Sequence, residues 1–156
     1  MAMTAFLTDL VRLFARDELT ADDVVRAVGP VVRDPGVPMP MVLRPTTRGV
    51  QAASLARDPD SLMPYLLTLE LEGSARPTVG DLSGAFGSFH VLPRDRGMPT
   101  SLHFVPATPN SRWSVALVAT LAASTAPSDG DEVPTVVLQR EPLSTPTDAP
   151  ASEVHP

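Results

Sequence analysis

The sequence predicts an α+β domain built from two αβ4 units in tandem, with helices on one side of a mostly antiparallel sheet. Three observations lead there. Short segments in the first half recur in order in the second. Each copy holds one short helical pattern bounded by capping residues. After it come brief apolar or alternating runs separated by Pro, Gly and Asp, the punctuation of strands joined by local turns.

The repeat is the primary signal. Thr20, Asp23, Ala27 and Gly29 recur as Thr78, Asp81, Ala85 and Gly87. Arg33-Asp34, Gly36, Pro38 and Pro45 recur as Arg94-Asp95, Gly97, Pro99 and Pro106. Met63-Pro64 with Leu66-Leu67 resembles Val133-Pro134 with Val136-Val137. The units run 19–73 and 74–141, preceded by a helix over 1–18 and followed by a tail over 142–156.

Thr4 to Arg16 places Phe6, Leu7, Leu10, Val11, Leu13 and Phe14 at helical spacing, opposite Asp9, Arg12 and Arg16. This amphipathic helix has no counterpart before Thr78. Thr20 and Asp23 then form a capping-box pattern with Gly29 as the stop, and Thr78, Asp81 and Gly87 repeat it. Strands are expected at 31–32, 39–43, 50–56 and 66–71 in the first unit. In the second they fall at 89–92, 101–105, 113–121 and 135–140. Trp113, Val115, Leu117, Ala119 and Leu121 share one face by the two-residue period. The Pro/Ser/Thr/Ala-rich tail lacks apolar periodicity and is expected to be disordered. In bare architecture, a tandem pair of αβ4 units is similar to the repeats of the β-lactamase-inhibitor-protein-like proteins. That likeness is one of architecture, and the cysteines of their secreted members are absent here.

Composition narrows the chemistry. Net charge is −6, which disfavours a phosphate-backbone ligand and so nucleic acid. All 12 basic residues are Arg. With no cysteine there is no disulfide, thiolate nucleophile or Cys-based zinc site. The first residues lack a cationic segment before an apolar run, and no run has the length of a transmembrane helix, so a cytoplasmic protein without membrane insertion is expected.

Candidate sites are few. If Arg94–Pro99 closes a hairpin, His90 and His103 lie opposite or one step apart, and Asp95 would complete a metal-binding trio. Half-buried strand histidines are the commoner outcome, so no metal is expected. Ser88–His90 and Ser101–His103 lack a nucleophile elbow, and no Gly-rich phosphate cradle exists, so no cofactor is expected. The acidic turn Ser128–Glu132 falls short of a calcium loop. The repeated Arg33-Asp34 and Arg94-Asp95 turns read as fold-required turns or paired recognition loops. Phe6, Leu10 and Phe14 read either as sheet cover or as anchors for a partner.

Two functions remain. The favoured one is a non-enzymatic protein–protein interaction module of adaptor, chaperone-like or inhibitor/immunity type, its partner another protein or a second copy in a homodimer. The alternative is a small enzyme or ligand-binding domain using His90, His103 and nearby Arg or Asp in a cleft between the units.

Overall fold

A computed structural model of the chain describes residues 2–108 and 111–143. The N-terminal helix α1 spans Ala2–Phe14, and a second helix, α2, spans Ala21–Val28. Strands β1 (Val31–Arg33), β2 (Met41–Leu43), β3 (Val50–Arg57) and β4 (Pro64–Leu71) follow. After a short 3-10 turn at Gly73–Ala75 come α3 (Val79–Phe86) and β5 (Phe89–Val91). Strands β6 (Ser101–Phe104), β7 (Trp113–Thr120) and β8 (Thr135–Pro142) complete the order.

The capping boxes predicted for α2 and α3 are both closed. Thr20 Oγ1 accepts the Asp23 N–H at 3.2 Å while Asp23 Oδ2 accepts the Thr20 N–H at 3.0 Å. Thr78 and Asp81 do the same at 3.1 and 3.0 Å. Each box satisfies backbone donors that a helix start leaves orphaned. The two stop glycines serve different needs. A Cβ on Gly29 would collide with the Arg44 carbonyl, whereas Gly87 has open space but a φ of +90° that side-chain-bearing residues rarely adopt.

All strands join one antiparallel sheet in the order β1-β2-β3-β4-β8-β7-β6-β5. The edges are β1 and β5, and β4 meets β8 at the centre, where Leu67 faces Leu138 and Leu69 faces Val136. Leu67, Leu69 and Leu71 of β4 point to the same core as Val136 and Leu138 of β8. All three helices contribute to that core. Val42, Leu66, Val118 and Val137 lie outside it, on the opposite face of the sheet.

Two expectations need adjusting. Strand β8 runs through Pro142, which the sequence assigned to the tail; Leu143 N–H also donates to the Arg112 carbonyl. The rest of the expected tail, 144–156, lies outside the described residues. The proline-anchored match of the last repeat block is one residue out of step. It sets core-facing Leu67 against Val137, whereas burial pairs the series Leu67, Leu69, Leu71 with Val136, Leu138, Arg140. A one-residue slip turns every side chain to the other face.

Candidate functional site

The last core-facing residue of β8 is a charged one. Alternation buries Val136, Leu138 and Arg140, leaving Arg140 only 3% exposed, opposite Val115 of β7. Two residues before Val115, Trp113 opens β7 and stands opposite Pro142. The Arg140 guanidinium carbon lies 3.7 Å from the centre of the Trp113 ring, a cation–π stack. Its Nε, Nη1 and Nη2 are all buried, and among the described residues none has a hydrogen-bond partner.

Such a group is costly. A guanidinium needs acceptors in its own plane, and a stacked ring supplies none. Leaving a buried charge uncompensated costs roughly 3–5 kcal/mol, more than a cation–π contact of about 2 kcal/mol returns. Burial pushes the Arg140 pKa down to about 10, with the nearby Asp17 acting weakly the other way. Asp17 itself faces Arg112, at 3.5 Å from Nε to Oδ1.

Arg140 and Trp113 line a cleft of about 260 Å³ at the β4–β8 junction. Pro64, Tyr65, Met63 and Pro142 add apolar lining, and Asp58 and Glu141 line it as well. Asp58 is occupied: its Oδ1 accepts the N–H groups of Asp60 at 2.8 Å and Ser61 at 3.0 Å. Those backbone bonds, from Ser61 and then Asp60, hold its carboxyl below the usual carboxylate range. The arrangement is a mostly apolar cleft whose wall includes one buried cation, unpartnered among the described residues. Such pockets orient a ligand through few polar groups.

The sequence-predicted residues are placed differently. Leu10 and Phe14 are 1% and 0% exposed, so they are core residues and not anchors for a partner. Phe6 is half-buried against the same core. The stripe on α1 is consumed in covering the sheet, as the apolar face of a sheet requires. Arg33 ends β1 and Asp34 follows it, while Arg94-Asp95 come after β5; β1 and β5 are opposite edges, so the turns are not brought together. Asp34 Oδ1 accepts from the Gly36 N–H and from Arg57 Nη2, at 3.0 and 2.7 Å. Arg94 Nη2 donates to the Ser124 carbonyl at 2.6 Å.

His90 and His103 are direct partners across β5 and β6. Among the described residues, no group of three His, Cys, Asp or Glu is placed to hold a metal, so Asp95 does not join them. The acidic turn supports the helix beside it, since the Asp129 and Asp131 carbonyls accept the Gly80 and Val79 N–H groups at the start of α3. No sequence motif singles out Arg140 with Trp113. A signal is present all the same, since following Val136, Leu138 by twos lands on an arginine.

No family model matches the sequence, and no curated protein matches it. Among solved structures it is similar to the crystal structure of a DUF4309 family protein (YjgB) from Bacillus subtilis subsp. subtilis str. 168. Identity is 14% over 88% of this chain and 97% of that one, with a TM-score of 0.55. That likeness concerns the fold alone.

Proposed function

We propose that the chain is an internally duplicated, non-enzymatic protein–protein interaction module that docks its partner, or a second copy, on the open face of the sheet. One observation carries the reading. Among the described residues the helices all lie on one face, and the residues of the other face lie outside the core that the helices cover. A row of mutual partners crosses that face: Val42, Ser54, Thr68, Val137, Val118, His103 and His90. Neighbours in a sheet shield one another, so most of these are half-exposed although no described element packs over them. A broad uncovered patch containing apolar side chains is what a docking surface presents.

The duplication is supported by the repeated element order, the two closed capping boxes and the matching core alternation of β4 and β8. Residence in the cytoplasm belongs to the same proposal. Among the described residues no helix is long and apolar enough to cross a membrane.

The test is a Val118→Arg/Val137→Arg variant, compared with the native chain by light scattering and by cross-linking in the native host. The fold should survive, since neither residue is in the core, while self-association or the cross-linked partner is lost. Identical assembly and cross-links in both proteins would overturn the reading. The ligand-binding alternative is favoured by a different observation, the Arg140 cleft. His90 and His103, which it first invoked, sit at the β5 edge and not at the junction.

A further inference from the structure

The geometry points to the Arg140–Trp113 cleft as a binding site for a small monocarboxylic acid with an apolar or aromatic body. This inference is independent of any docking on the open sheet face.

The fold does not require the arginine. Leu71, the last core-facing residue of β4, closes the corresponding end of its strand with an aliphatic side chain 1% exposed. Arg140 holds the same place in β8 with three nitrogens unmatched among the described residues. An arginine kept there without an acceptor lacks the carboxylate that its planar fork fits in two parallel hydrogen bonds. The Trp113 ring stacks on one face of the guanidinium, so that acceptor has to come in the guanidinium plane, at the nitrogens.

The surroundings select the ligand. Met63, Pro64, Tyr65, Trp113 and Pro142 suit an apolar body, and about 260 Å³ suits a small one. Asp58 and Glu141, which also line the cleft, oppose further negative charge, so a monoanion is preferred over phosphate or a dicarboxylate. The guanidinium nitrogens are closed to solvent. A ligand reaches them only if side chains lining the cleft move, and that lining includes Met63, a flexible thioether, and Tyr65, which is 43% exposed.

Trp113 is the only tryptophan in the chain, so its fluorescence reports on the site directly. Phenylacetate and octanoate are titrated into the full chain, with inorganic phosphate and phenylethanol as comparisons. The acids should give a saturable change and raise the melting midpoint, because a ligand that binds only the native state stabilises it. Phosphate and the alcohol should give neither. Arg140→Met should melt no lower than the native chain and weaken the acids by about tenfold or more, the loss of a charge-assisted pair. Arg140→Lys, which keeps the charge without the fork, should also weaken them. The proposal is overturned if neither acid saturates the native protein at millimolar concentration, if the alcohol binds as well as its acid, or if either variant binds the acids as the native chain does.

Discussion

Leu71 and Arg140 occupy corresponding ends of the two central strands, one beside Val50 and the other beside Val115. Around Leu71 the packing is complete. Gly49 leaves no room for a side chain, because a Cβ there would run into Ala75 and approach Met3. Around Arg140 the packing stops at a tryptophan ring and a cleft. The same alternation thus ends once in a sealed core and once in an unsatisfied charge. Departures of this kind, where a local rule is broken without local compensation, are expected at functional or strained sites.

The sharpest way to break this comparison is to alter the two ends in parallel. Leu71→Ala should cost about 2–5 kcal/mol, as truncation of a buried leucine does. Arg140→Leu should leave stability unchanged or raise it by about 1–4 kcal/mol, because a buried charge is exchanged for packing. Urea denaturation of both variants gives the two signs. A loss at Arg140 as large as that at Leu71 would make the arginine a structural member.

The sequence made the architecture legible because it is written in local terms. Capping boxes, stop glycines and two-residue alternation involve neighbours only, and Thr20–Asp23 and Thr78–Asp81 close as read. Strand ends were less legible: Pro64 and Pro142 both lie within strands, at termini where a missing N–H costs no ladder bond. The site was hidden for a different reason. Arg140, Trp113 and Met63 meet only after β8 pairs with both β4 and β7, and no local pattern encodes that pairing. Burial also decides what exposure alone would reveal, which is why the stripe of α1 could be read as an interface when Leu10 and Phe14 are core.

A smaller contrast sets α2 against α3. Thr20→Ala and Thr78→Ala should each cost about 1 kcal/mol, the usual worth of an N-cap. Only α2 adds a tie from its last turn, Arg26 Nη2 donating to Asp23 Oδ1 at 2.6 Å. The Thr20 backbone hydrogen bond, opposed by desolvation and helped by the Thr20 hydroxyl, Arg16 and Arg26, holds the Asp23 carboxyl below its ordinary range. A depressed acid stabilises above its unfolded pKa, about 4, and loses that contribution as pH falls through the folded value. Asp23→Asn should therefore flatten the acid side of the stability profile. An unchanged profile would remove the carboxylate from the account of α2.

The smallest expected difference separates the two repeated turns, which share a sequence and are fastened by different residues. In the first, the aspartate does the fastening: Asp34 receives Arg57 across an ion pair whose arginine is 13% exposed and whose aspartate is 38% exposed. In the second it is the arginine, Arg94, and its acceptor is the neutral Ser124 carbonyl. Asp34→Ala and Arg94→Ala should each cost about 0.2–1 kcal/mol. Salt tells them apart. An attraction between opposite charges near the surface weakens as the screening length shrinks to about 3 Å at 1 M salt, so the cost of Asp34→Ala should fall. The Arg94 bond joins a charge to a dipole at contact distance, and its cost should stay nearly constant. Melting curves of both variants at low and high salt read the difference. If both costs fall together, Arg94 is acting through its net charge and the two turns are fastened alike; if neither moves, the Asp34–Arg57 pair contributes only its geometry.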